Sequence, residues 1–123
     1  MKNDRQKFGE ESELQAVTYL KKQGYRILQQ NYRNSLGEID IIATDRKVIA
    51  FIEVKAKRSP FFGHPKYAVT LKKQRKISMV ALVYLKQTHQ MQKSARFDVV
   101  TVQRRHQNYE IELIKNAFEL AYP

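Results

Sequence analysis

The chain has 123 residues, 42% of them hydrophobic and 28% charged, and a formal net charge of +11. That size suits one compact domain with a modest core, and the absence of cysteine excludes disulfides and thiolate metal sites. The longest apolar run, 79–85, is too short to cross a bilayer and residues 1–5 lack the apolar core of a signal peptide, so a cytoplasmic protein with no membrane attachment is expected.

The first 23 residues predict a helix over 4–23, stopped by Gly24. At 100° per residue, Ala16, Val17 and Leu20 fall on the same side as Glu13, which places that carboxylate inside the apolar stripe. An unpaired buried charge is costly, so Glu13 needs a metal, a lysine or a backbone N–H as partner. Residues 25–33, anchored by Tyr25, Ile27 and Leu28, read as a first strand.

Segments 38–43 and 48–55 are rich in β-branched residues and flank Thr44-Asp45-Arg46-Lys47, a pattern that predicts a hairpin. A two-residue turn at Arg46-Lys47 sets Asp45 opposite Val48, Asp40 opposite Glu53 and Glu38 opposite Lys55, with Cβ atoms about 5 Å apart in each pair. Asp40, Glu53 and Lys55 then share one sheet face. Two carboxylates can hold a hard divalent cation, and an ammonium beside them can position a water or offset charge on a phosphate, which is what metal-assisted phosphodiester cleavage requires. A polar outer face on an ordinary hairpin would alternate in the same way. Ile49 and Phe51, on the face of Glu53, speak against a simply solvated surface.

Residues 56–67 form a loop marked by Pro60, Gly63 and Pro65. Phe61, Phe62 and Tyr67 stand there among Lys57, Arg58 and Lys66, an interleaving that suits stacking on bases and equally suits pinning the loop to the core; His64 reads as a plain loop histidine. A second helix is predicted over 70–87, capped by Thr70. Its first turns carry Lys72, Lys73, Arg75 and Lys76, cations that oppose the helix dipole unless a phosphate docks there. The whole segment 54–97 lacks any acidic residue, which implies a polyanionic partner, with a solvated basic face as the plain alternative.

Strands are expected at 96–102 and 109–114, followed by a short helix at 116–121, and Asp98 reads as a strand-end or capping carboxylate, with a place at the acidic site as the alternative. The order is then αβββαββ with a short C-terminal helix, an α/β arrangement in which helices flank a mixed five-stranded sheet.

The run GEIDIIATDRKVIAFIEVKAKRS, with ELQAVTYLKKQGYRILQQNYR before it and RFDVVTV and IKNAF after it, resembles the YraN-like family of uncharacterised bacterial proteins. That family is similar to archaeal-type Holliday junction resolvases and belongs to the restriction-endonuclease-like PD-(D/E)xK superfamily. The resemblance implies a restriction-endonuclease-like core and a DNA endonuclease acting on structured or branched DNA. It implies Asp40 and Glu53 as metal ligands, Glu13 completing the site, Lys55 orienting the attacking water and Gln74 in support. It also implies Mg²⁺, with Mn²⁺ as substitute. The family reads Gly-Glu at the helix glutamate where this chain has Ser12-Glu13. Lys57, Arg58, Lys66, Lys72, Lys73, Arg75 and Lys76 would clamp the DNA backbone, and symmetric cutting of a junction would call for a homodimer. Two other classes fit the residues: a nucleic-acid-binding module without catalysis, and an adaptor whose basic face meets an acidic protein.

Overall fold

The computed structural model describes residues 1–57 and 69–121. The expected loop residues Arg58, Phe61, Phe62, His64, Lys66 and Tyr67 lie outside them. Helix α1 (Asp4–Lys22) begins at a reciprocal cap in which Asn3 accepts from the Gln6 N–H and Gln6 accepts from the Asn3 N–H. It ends where Gly24 adopts φ +94°, a backbone conformation that costs glycine little. Helix α2 (Leu71–Gln87) starts at Thr70, whose hydroxyl accepts from the Lys73 N–H at 3.2 Å.

Five strands form one sheet in chain order: β1 (Arg26–Asn34), β2 (Gly37–Asp45), β3 (Val48–Lys57), β4 (Ala95–Arg105) and β5 (Asn108–Phe118). All neighbours pair antiparallel except β3 and β4, which α2 connects as a parallel crossover. The helices cover opposite faces. Ala16, Val17 and Leu20 of α1 pack on Ile41, Ala43, Ala50, Ile52, Val100 and Val102, while Ile77, Val80, Ala81 and Tyr84 of α2 pack on Ile42, Ile49, Phe51 and Val99. Covered on both sides, β2 and β3 read as nearly continuous apolar runs. Each fully buried Leu or Ile contributes about 1.5–3 kcal/mol.

The expected element order and the mixed five-stranded sheet are present. The expected helix at 116–121 is not: β5 continues to Phe118, and the described residues after it are not helical. Phe118 pairs with Phe97 and stacks on its ring at 4.8 Å, so sheet packing overrides the helical propensity of this segment.

Asp98 is a second correction. It neither ends a strand nor caps a helix. It is completely buried in β4, where it accepts from the Tyr25 hydroxyl at 2.8 Å, from Arg96 Nε at 2.9 Å and from the Asn116 N–H at 2.9 Å. Arg96 also donates to Tyr25 and to Asp45, and Lys115 donates to the same Asp45 oxygen. These bonds hold the Asp45 carboxyl below its usual range, led by Arg96. The network ties Tyr25, in the connection between α1 and β1, to β2, β4 and β5.

Candidate metal-dependent active site

The turn at Arg46-Lys47 sets the register that the sequence predicts, with Asp45 paired to Val48 and Ile41 to Ile52. Beyond Ile41 the ladder stops, so the expected strand pairs Asp40–Glu53 and Glu38–Lys55 are not formed as backbone partners. The face alternation breaks at the same place. Ile41 packs on the α1 side, whereas Ile39 joins Ile42 on the α2 side. Across from this break on β1, between the pairs Gln30–Ile41 and Tyr32–Ile39, Asn31 adopts φ +53°. The irregularity spans both strands, and Asp40 occupies its centre.

Asp40 and Glu53 meet nonetheless through their side chains. The Val54 N–H donates to Asp40 Oδ2 at 2.8 Å, which holds the Asp40 carboxyl against the β3 backbone beside Glu53, where its charge acts on the Glu53 carboxyl. Burial raises the Asp40 pKa, opposed by the Val54 N–H. Burial and then the Asp40 charge push Glu53 up to about 7, against the pull of Lys73 and Lys55. Glu53 is only 8% exposed.

Glu13 approaches from α1. Its pKa is raised by burial first and by Asp40 second, while the Asn31 side chain favours the charged form. Glu13 Oε1 is buried without a hydrogen-bond partner, a costly arrangement for a carboxylate oxygen. From α2, Lys73 Nζ lies 3.9 Å from Glu53 Oε1. A carboxylate and an ammonium from helices on opposite faces thus act on one acidic pair.

Lys73 was legible only as a backbone clamp, because nothing in the sequence places the first turn of α2 against β3. Asn31 gave no signal beyond its tolerance of the left-handed conformation. Gln74, half-buried on α2, donates from Nε2 to the Val69 carbonyl at 3.0 Å and braces the start of that helix. Lys57, Lys72, Arg75 and Lys76 are exposed, the last three on the first turns of α2.

Among the described residues, no group of three His, Asp or Glu side chains is set to enclose a metal ion. The donor set still fits a hard cation of the Mg²⁺ type, which binds through one or two carboxylates and completes its shell with water and phosphate oxygens. Asp40 and Glu53 would supply the two carboxylates, and the unpartnered Glu13 oxygen would be a further acceptor nearby.

Gly37, the first residue of the GEID motif, has a packing reason. It adopts φ +154°, and a Cβ there would meet Lys76 Cε and Val80 Cγ2, each at 3.2 Å. Gly37→Ala is expected to cost about 1–3 kcal/mol through strain and overpacking. Urea unfolding of the variant beside the parent measures it, and equal midpoints would remove this reading of the motif.

Fold and site together define an α/β protein with a restriction-endonuclease-like core and an acidic pair, the buried Glu53 and the half-buried Asp40, at the break between β2 and β3. The sequence model of the uncharacterised protein family UPF0102 matches residues 12–102. The chain belongs to that family, the YraN-like family that its motifs resemble. It is 51% identical over 119 residues to a UPF0102 protein of Desulfosudis oleivorans, covering 97% of this chain and 95% of that one. A UPF0102 protein of Syntrophus aciditrophicus is 51% identical over 114 residues, covering 93% and 90%. One from Caldicellulosiruptor saccharolyticus is 44% identical over 117 residues, covering 94% and 99%.

Proposed function

We propose that this protein is a metal-dependent DNA endonuclease of the PD-(D/E)xK superfamily, acting on structured or branched DNA in the cytoplasm. The observation that carries the reading is the buried Glu53 beside the half-buried Asp40, which accepts from the Val54 N–H at 2.8 Å, with Glu13 and the Lys55 charge close enough to act on them. Two like carboxylates buried together are unfavourable on their own, and sites of chemistry are where such pairs occur.

Asp40 and Glu53, with Glu13, would hold Mg²⁺ or Mn²⁺. The bound ion supplies Lewis acidity toward the phosphoryl oxygen and lowers the pKa of water. Lys55 orients the attacking water and offsets charge that develops beside it. Gln74 supports the site from the start of α2. Lys57, Lys72, Lys73, Arg75 and Lys76 attract the sugar-phosphate backbone, with Arg58 and Lys66 from the segment between β3 and α2, so affinity falls with salt. Cutting two strands of a branched DNA symmetrically needs two copies of the site, hence a homodimer.

A second reading, a nucleic-acid-binding module without catalysis, is favoured by the lack of a ready-made three-residue metal group among the described residues. Alanine substitution separates the two. Asp40→Ala, Glu53→Ala and Lys55→Ala are each expected to lower Mg²⁺-dependent cleavage by about 100-fold or more, with DNA affinity in EDTA changed only a few-fold. Cleavage that survives all three substitutions would reject the site.

A further inference from the structure

A cleft of about 420 Å³ lies between the turn joining β1 to β2 and the first turns of α2. Arg33, Lys73 and Lys76 line it against a single acid, Glu38. Arg33 and Glu38 are 3.3 Å apart, but the Arg33 side chain is 75% exposed, so this pair holds Arg33 only weakly against a competing anion. Because Gly37 has no side chain, the stem of Lys76 lies directly against the turn and forms one wall of the cleft. Lys73 joins the cleft to the acidic pair, since it lines the one and lies 3.9 Å from Glu53 of the other.

The lip of the cleft has a different chemistry. Leu36 is a large apolar residue left 46% exposed on the turn, and its N–H donates to Asn34 Oδ1 at 2.9 Å, which fixes the backbone there. Proteins that kink nucleic acids insert apolar side chains such as Leu between base steps while cations hold the flanking phosphates. Inserting such a side chain costs least where stacking is already interrupted.

We propose that this cleft seats the sugar-phosphate backbone of a DNA strand whose bases are unstacked over Leu36, so that the chain selects branch points over continuous duplex. Arg33 and Lys76 grip phosphates, Leu36 fills the gap between bases, and Lys73 hands the strand to the acidic pair. This deepens the nuclease reading and rests on it for the direction in which the strand runs. The binding step needs no metal.

The test is a fluorescence anisotropy titration of a labelled four-way junction and a duplex of equal length, in EDTA, across a range of salt. The parent chain is expected to prefer the junction. Arg33→Gln/Lys76→Gln is expected to weaken both DNAs by about tenfold or more and to make the log–log salt dependence shallower by about two. Leu36→Ser is expected to bring junction affinity down to the duplex value while duplex affinity stays within about twofold. Leu36→Phe, which keeps an apolar wedge, preserves the preference and guards against a trivial folding defect. A salt slope unchanged in the double variant, or a junction preference unchanged by Leu36→Ser, overturns the proposal. So does a parent chain that binds both DNAs equally. Because these measurements exclude metal, failure of cleavage in Mg²⁺ with the junction preference intact counts against the nuclease reading alone.

Discussion

Glu53→Gln is expected to stabilise the metal-free protein at pH 8 by about 3 kcal/mol, while having little effect at pH 5. The folded-state pKa of Glu53 is raised from its ordinary 4.5 to about 7, so between those values the folded chain binds a proton that the unfolded chain releases. Its contribution to stability is therefore full below pH 4.5 and is lost as pH rises through about 7. Above that range a buried charge is held against Asp40 with only partial relief from Lys73 and Lys55. Glutamine keeps the size of the side chain and removes the charge. The Lys73 contact given up is long, and Lys73 is 44% exposed, so little is lost on that side. Thermal unfolding in EDTA at both pH values measures the effect, and a variant equally or less stable at pH 8 would refute the strained-pair account. The same substitution is expected to abolish Mg²⁺-dependent cleavage, since stability gained at the expense of activity marks a functional site. Adding Mg²⁺ should stabilise the parent chain at pH 8 and leave the variant nearly unmoved.

Asp98→Ala is expected to destabilise the fold by about 3–5 kcal/mol, the usual cost of removing one partner of a buried ion pair. Asp98 is completely buried and satisfies Arg96, the Tyr25 hydroxyl and the Asn116 N–H. Its loss leaves the Tyr25 hydroxyl and the Asn116 N–H without this acceptor and leaves Arg96 with Asp45 as its carboxylate partner. Tyr25→Phe removes one donor to Asp98 and one acceptor for Arg96, and about 1–2 kcal/mol is expected. Urea unfolding of both variants gives the comparison; an Asp98→Ala variant no worse than Tyr25→Phe would show that the network contributes little. Asp98 bonds Tyr25, Arg96 and Asn116 rather than the acidic pair, so DNA affinity below the unfolding transition should be retained.

Hairpin chemistry made much of this structure legible. The β-branched segments on either side of Arg46-Lys47 carry their own register, and Arg46 adopts the positive φ that such a turn uses. The stripe of Ala16, Val17 and Leu20 turned Glu13 inward without any knowledge of the sheet. Local patterns could not show where the ladder between β2 and β3 ends, because that depends on Asn31 of a third strand and on a backbone N–H captured by Asp40. Nor could they place Lys73 on Glu53 or Asp98 on Tyr25, contacts between residues far apart in the chain. The C-terminal segment misleads for the opposite reason: its residues favour a helix locally, and Phe97 draws Phe118 into the sheet.

Whether Asp40, Glu53 and Lys55 form a metal-dependent site that cuts DNA is decided by incubating the purified chain with four-way junction, flap, duplex and single-stranded DNA in Mg²⁺, in Mn²⁺ and in EDTA, with products separated on denaturing gels. Endonucleolytic cuts are expected in the branched substrates with either metal, none in EDTA, and none for Glu53→Gln. Intact DNA in every lane, or cuts that persist in EDTA or in the variant, would contradict that assignment.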